Sequence, residues 1–330
     1  VQKDSRAVNI FPYAPHLAFW QTVFAAFSHN VFMLSTGGGK VIGTQGNIEA
    51  ILKVKPDVVI GVPAYLYHLV RSARQMNKDF GFIKKIILGA SAVPPGFKEK
   101  LSSMLVDMGG ADGVSVIGTY GFTEAKCAWG ECPTNIGVSS GYHTYPDKEI
   151  FEVVDPDTGE AVGEGGDGEL VYTSIDARGS CVLRYRTGDL VKGGIVYSPC
   201  PYCKRTVPRI SSGIYRASNI KNLQLSKVKG TLVNLNNLGS ILEAEKGIEE
   251  WQVELRKKDD DPYEVDELLL YLSLSANTDQ ENLKKNLYDK ILSLTEITPN
   301  EIIILPHQEM LKQVEMEISH KVKRFVDKRP

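Results

Sequence analysis

Val58-Val59-Ile60-Gly61-Val62-Pro63 is the stretch whose reading decides the fold. A short apolar run of β-branched residues, closed by glycine and proline, suits a strand buried on both faces of a helix-covered parallel sheet. Its surroundings repeat the pattern. A helix is expected over Asn47 to Val54 and another from Ala64 to Met76. Beyond them come the strand Lys85-Ile86-Ile87-Leu88, a helix after Pro95 and the strand Ser115-Val116-Ile117. Strands alternating with helices predict a doubly wound α/β sheet, which binds ligands at the carboxyl ends of its strands. Gly61-Val62-Pro63, Gly89-Ala90-Ser91-Ala92 and Gly118-Thr119-Tyr120 occupy those ends, so the pocket is expected among them.

From residue 149 the pattern turns to alternating β: Glu149-Ile150-Phe151-Glu152-Val153-Val154, the turn Asp155-Pro156-Asp157-Thr158-Gly159, then Gly168-Glu169-Leu170-Val171-Tyr172. Past about residue 216 a third pattern appears. Strands over Trp251 to Arg256, Leu268 to Leu274 and Glu301 to Leu305 enclose a helix over Asp279 to Leu294, and Lys257 to Asp261 reads as a charged hairpin tip. The expected architecture is a multilayer α/β N-terminal domain with a small β subdomain, followed by a smaller α+β C-terminal domain. The boundaries are 1–148 for the α/β layers, 149–216 for the β subdomain and 217–330 for the C-terminal domain.

The 330 residues are 42% hydrophobic and 24% charged, as in an ordinary globular protein, and the net charge of -2 argues against a nucleic-acid binder. No run approaches the roughly 18 apolar residues of a membrane span, and Val1-Gln2-Lys3-Asp4 does not open a signal peptide, so a cytoplasmic protein is expected. Five cysteines are too few for a disulfide scaffold. Thiol or metal chemistry is the better expectation.

Two pentapeptides carry the chemistry: Tyr120-Gly121-Phe122-Thr123-Glu124 and Tyr185-Arg186-Thr187-Gly188-Asp189. Each sets a hydroxyl near a carboxylate and a glycine, which suits a magnesium-bound phosphate at one end and a ribose at the other. Taken singly, Thr123-Glu124 could cap a helix and Asp189 could be a turn residue. Taken jointly, and with Lys321-Val322-Lys323-Arg324 near the end, they resemble three ordered signatures of the adenylate-forming superfamily of acyl-CoA ligases. Within it the chain looks most like the phenylacetate-CoA ligase group.

The resemblance implies a two-step reaction in which a small carboxylic acid and ATP give an acyl-adenylate, and coenzyme A then takes the acyl group as a thioester. It assigns Mg²⁺ to Glu124, the α-phosphate to Thr123 and both ribose hydroxyls to Asp189. Gly89, Ala90 and Ser91 become the backbone wall beside adenine, with Tyr120, Gly121 and Phe122 next to the base. Arg205 and Arg216 resemble basic residues near the interdomain hinge. Lys321 resembles the late catalytic lysine, although His320 stands where the family usually has glycine; the other reading is a solvated basic tail with Lys323, Arg324, Lys328 and Arg329. Phe11, Tyr13, His16, Phe19 and Trp20 look like the acyl-pocket segment and favour an aryl or arylacetic acid such as phenylacetate, or else they are helix core.

Cys200-Pro201-Tyr202-Cys203 has the spacing with which two thiolates hold one zinc. Related ligases carry a comparable Cys, His, Cys, Cys pattern, which implies Cys132 and His143 as the other two ligands of a structural Zn²⁺; Cys127 is the rival to Cys132. Gly37-Gly38-Gly39-Lys40 lacks P-loop spacing and reads as a turn. The family's phosphate-gripping loop is expected upstream of Phe11, so residues 1–330 read as the distal part of a ligase, as one chain of a split enzyme whose partner chain supplies the N-terminal part, or as a subunit of a homodimer. The competing readings are an adenylyl transferase of the F390-synthetase type and a non-catalytic nucleotide-binding subunit.

Overall fold

The computed structural model describes residues 2, 4–13, 16–110, 113–134, 137–177, 181–216, 235–257, 266–295, 297–318 and 322–329. The chain divides into two units, Val1–Ala217 and Ser218–Pro330, each with its own core.

The first unit opens with β1 (Arg6–Asn9), α1 (Leu17–Ser28), β2 (Phe32–Ser35), α2 (Gly39–Val54), β3 (Val58–Gly61), α3 (Pro63–Gln75), β4 (Lys85–Leu88), α4 (Pro95–Asp107) and β5 (Ser115–Phe122). The sheet runs β2-β1-β3-β4-β5-β6, parallel through β5, with β6 (Cys127–Gly130) antiparallel at the edge. All four residues of β3 are buried, as expected of a central strand covered on both faces. Ile48, Leu66, Leu69, Ile86, Leu101 and Leu105 from the covering helices and β4 fill the core. Prolines start α3 and α4 at the first helical turn, where a missing N–H costs nothing.

Two features depart from the sequence reading. Strand β5 does not stop at Ile117. Its last four residues pair with β6, so Tyr120, Gly121 and Phe122 are strand rather than loop. The Gly37-Gly38-Gly39 stretch is a turn, with Gly37 and Gly38 at φ +74° and +75°, but helix α2 starts directly on Gly39 and is broken once, at Gly43 (φ +65°).

The β subdomain packs β8 (Glu149–Val154), β9 (Gly168–Ser174), β10 (Tyr185–Lys192) and β13 (Gly213–Arg216) into one antiparallel sheet. A second, small sheet joins β7 (Tyr142–His143), β12 (Arg209–Ile210) and β11 (Ile195–Val196). Their shared core includes Trp129 and Tyr120 from the β5–β6 hairpin, so the end of the parallel sheet is anchored in the β subdomain.

The second unit has α5 (Leu235–Ala244), β14 (Ile248–Lys257), β15 (Asp266–Leu274), α6 (Gln280–Thr295), β16 (Glu301–Ile304), α7 (His307–Gln313) and β17 (Phe325–Asp327). Its sheet order is β16-β15-β14-β17. Strand β17 was not expected, and a solvated tail was one of the two readings of its flanking lysines and arginines. They are instead paired: Arg324 lies over the Trp251 ring at 4.7 Å and 2.9 Å from Glu250, and Lys328 lies 2.7 Å from Glu254. Glu250, Gln252 and Glu254 form a buried polar row along β14 that these cations complete. Lys321 and most of the Lys257 to Asp261 tip lie outside the described residues.

Candidate nucleotide site and a cysteine-histidine cluster

The two pentapeptides are cross-braced. Tyr120, first residue of one, donates its hydroxyl to Oδ2 of Asp189, last residue of the other, at 2.8 Å. Tyr185, first residue of the second, donates to Oε1 of Glu124, last residue of the first, at 2.8 Å. The Phe122 and Tyr185 rings stack, with centroids 6.2 Å apart. Tyr120 and Asp189 are buried, whereas Thr123 and Glu124 sit exposed on a 3-10 turn (Thr123–Ala125).

The backbone of β10 makes this possible. Its register against β9 shifts between Arg186 and Leu190, and Gly188 has φ +72°, a conformation that favours glycine. Glu169 of β9 holds that irregularity: its carboxylate accepts the Gly188 N–H at 3.0 Å and bonds the Arg186 guanidinium. Thr187 Oγ1 accepts the Asp189 N–H at 3.1 Å and donates to the Leu170 carbonyl. Glu169 was missed from sequence. The available signal was a carboxylate in an otherwise apolar strand.

On the other side, Gly89 closes β4 against β5. A Cβ there would come within 2.7 Å of Thr119 Oγ1 and 3.4 Å of the Phe11 ring. Ala90 follows at φ +72°, in the left-handed region that costs an alanine about 1 kcal/mol, and Ala90 and Ser91 are exposed. Phe11 and Phe19 belong to a buried cluster with Val58, Ile60 and Val62; Tyr13 and Trp20 are half exposed. Of the aromatic segment, then, Phe11 approaches the Gly89 wall, and Phe19 is core. Arg216 is the register partner of Asp189 across β10 and β13. Arg205 is exposed and ends the cysteine turn, its carbonyl accepting the Cys200 N–H at 2.9 Å.

The four candidate metal ligands converge. Their ligating atoms all lie within 4.8 Å of one another. Cys132 Sγ is 3.6 Å from His143 Nε2 and 3.8 Å from Cys200 Sγ, and Cys203 Sγ is 3.4 Å from the same nitrogen. Tetrahedral zinc with Zn–S of about 2.3 Å sets its sulfurs about 3.8 Å apart, so the set fits the ion. His143 Nδ1 lies 3.3 Å from the Gly130 carbonyl, an arrangement that keeps Nε2 for a metal. Burial works against ionising Cys200, yet the N–H groups of Cys203 and Tyr202 and the His143 ring bring its thiol down to about 6. Burial and the neighbouring thiols push Cys132 up to about 12. Such a set favours a cation at its centre. Cys127 is not in the group; it sits on β6, its thiol pushed up to about 11 by burial.

Residues 6–181 match the model of the AMP-binding enzyme family. The chain belongs to that family. Its several sheets with mixed helices are the fold of the adenylate-forming enzymes. It is 28% identical over 151 residues to a phenylacetate-coenzyme A ligase of Aromatoleum evansii, covering 45% of this chain and 32% of that one. It is also 28% identical over 181 residues to one of Thermus thermophilus, covering 54% and 38%. The match thus spans about a third of the length of these family members. A crystal structure of 2-hydroxyisobutyryl-CoA ligase in the postadenylation state superposes with a TM-score of 0.75 over 100% of this chain and 66% of that one, at 18% identity, which is a likeness of fold. Among the described residues no helix is long and apolar enough to cross a membrane.

Proposed function

We propose that this chain carries the ribose and metal end of the ATP site of an AMP-forming acid-thiol ligase. The observation that carries the reading is the cross-bracing of Tyr120 with Asp189 and of Tyr185 with Glu124. It joins a buried carboxylate, suited to sugar hydroxyls, to an exposed one, suited to a hard cation.

In the first half-reaction a carboxylate oxygen of the acid attacks the α-phosphorus of ATP, and the bond to the bridging oxygen breaks as pyrophosphate leaves. In the second, the coenzyme A sulfur attacks the acyl carbon, AMP departs, and the thiol proton passes to solvent. Asp189 accepts both ribose hydroxyls, its carboxylate oriented by Tyr120. Gly89, Ala90 and Ser91 line adenine through their backbone, and Gly121 and Phe122 continue that wall. Thr123 bonds the α-phosphate. Glu124 holds Mg²⁺, whose charge offsets that of the phosphates. Arg205 and Arg216 act near the hinge, and Lys321, outside the described residues, supplies an ammonium to the charge that builds on the α-phosphate.

The acid is an aryl or arylacetic acid such as phenylacetate. Support comes from the names of the relatives and from Phe11, which lies against the Gly89 wall. Cys132, His143, Cys200 and Cys203 hold a structural Zn²⁺, a full set of four protein ligands with no open position. The active enzyme includes polypeptide corresponding to the part of its relatives that this chain does not span, in one chain or on a partner, and a homodimer is the assembly proposed.

Acid-dependent ATP–pyrophosphate exchange tests the reading, run on a panel of aryl and aliphatic acids with that additional polypeptide present. Exchange supported by arylacetic acids is expected. If no acid supports exchange, the ligase reading falls; if only aliphatic acids do, the substrate class falls and the reaction stands.

A further inference from the structure

One buried ion pair lies outside every role assigned so far. Lys98 of α4 and Glu131, the residue after β6, meet at 2.7 Å with side chains 4% and 2% exposed. Taking both charges out of water costs several kcal/mol, and an apolar pair of similar volume would join the layers at least as well. What the pair adds is direction. Glu131 Oε2 accepts both the Lys98 ammonium and the Gly118 N–H, the latter at 2.6 Å, and the Glu131 N–H returns to the Gly118 carbonyl at 3.1 Å. Gly118 is thereby gripped on both its backbone groups, two residues before Tyr120. A Cβ there would lie 2.7 Å from Oε2 and would have to displace the carboxylate.

The other carboxylate oxygen faces the metal-ligand loop. Oε1 accepts the hydroxyl of Ser139, whose Oγ accepts the Gly141 N–H at 3.1 Å. The adjacent Ser140 Oγ accepts the N–H of Cys132, and Arg209 holds the Ser140 carbonyl at 2.6 Å. A single carboxylate therefore bonds the strand that bears Tyr120 and the loop that runs from Cys132 to His143.

We propose that Glu131, aimed by Lys98, is a positioning residue that couples occupancy of the Cys132–His143–Cys200–Cys203 cluster to the geometry of the nucleotide strand. The proposal rests on the reading of that cluster as a zinc site and of β5 as the nucleotide strand. With zinc bound, Cys132 and His143 fix the ends of the loop, Ser139 and Ser140 carry that order inward, and Glu131 delivers it to Gly118. The coupling runs through hydrogen bonds and needs no contact between metal and nucleotide.

Hydrogen exchange measured by mass spectrometry on the full chain, zinc-loaded and zinc-stripped, tests this without requiring turnover. In the wild type, stripping zinc should speed amide exchange in the peptide covering 115–122 by about tenfold, while β14 and β15 stay unchanged. In Glu131→Gln the same peptide should already exchange fast with zinc bound at full stoichiometry, and stripping should add less than about twofold. Should that variant leave Lys98 too poorly neutralised to fold, the apolar pair Lys98→Met/Glu131→Leu replaces it. It should keep the wild-type melting temperature and zinc content and still lose the coupling, which a merely structural role would not produce. Equal deprotection of 115–122 in wild type and variants overturns the proposal and leaves the zinc reading intact. A wild type that takes up no zinc overturns both, and nucleotide binding, measured separately by calorimetry with AMP, decides the reading of β5.

Discussion

Tyr185 donates its hydroxyl to Oε1 of Glu124 at 2.8 Å across 61 residues of sequence, the mirror of the Tyr120 bond to Asp189. Each signature therefore supplies the tyrosine that orients the other's carboxylate. Tyr185→Phe should leave folding within about 0.5 kcal/mol of wild type, since Glu124 is exposed. It should weaken Mg-ATP binding about three- to tenfold, because Glu124 would have to be ordered by the metal alone. Calorimetric titration with Mg-ATP checks this, and unchanged affinity counts against the bracing role.

The buried bond behaves differently. Tyr120→Phe strips a donor from Asp189, a carboxylate that is only 7% exposed, and should cost about 1.5 to 3 kcal/mol of stability. Denaturant unfolding of the first unit measures it. An unmoved midpoint would mean that water replaces the phenol.

Glu149 gives a pH signature. Burial holds its carboxyl above the ordinary range, against the opposing pull of the Tyr145 N–H and the Trp129 ring N–H. A raised folded value means that the folded state keeps the proton more tightly than the unfolded chain. Its contribution is therefore full below the unfolded value of about 4.3 and is lost as pH rises through the folded one. Glu149→Gln keeps the acceptor oxygen and removes the charge. The variant should gain on wild type as pH rises from the ordinary carboxylate range towards neutrality, read as a flatter curve of melting temperature against pH.

Lys204 sits at φ +63° beside the cysteine turn. Lys204→Gly removes the left-handed penalty and should raise the stability of zinc-loaded protein by about 0.5 to 1 kcal/mol, less the bond that its ammonium makes to the Pro201 carbonyl. Thermal melts of the loaded protein report the sign.

Arg324→Ala should be costlier, at about 3 kcal/mol, since Glu250 is 2% exposed and would keep an uncompensated charge. Amide exchange should rise selectively in β14 opposite Phe325–Asp327. The double variant with Glu250→Gln should recover part of the loss.

The central strands were legible because burial on both faces leaves an unbroken apolar run, as in Val58–Ile60, and the hairpin Glu149 to Ser174 was legible from its Asp155 turn, whose carboxylate accepts the Asp157 and Thr158 N–H groups. The convergence of Cys132 and His143 on the Cys200–Cys203 turn followed from family resemblance, since their spacing alone does not exclude Cys127. Three things stayed hidden. The extension of β5 depends on a partner strand, β6, too short to announce itself. Strand β17 is flanked by Arg324 and Lys328, whose charges are met by Glu250 and Glu254 some seventy positions earlier. Lys98 and Glu131 look like surface residues until helix α4 lays one against the other.

The cysteine-histidine cluster draws its ligands from two ends of a long stretch, Cys132 with His143 and Cys200 with Cys203, and β8, β9, β10 and β11 all lie between. A bound ion would therefore close those strands into a ring of about seventy residues, removing on the order of 4 kcal/mol of disorder from the unfolded chain. A protease that cuts once inside the ring would leave two pieces travelling as one. The ion would tie them beside the β13-β10-β9-β8 sheet, and a chelator would remove that tie, so the metal would serve as this subdomain's reversible substitute for a covalent crosslink.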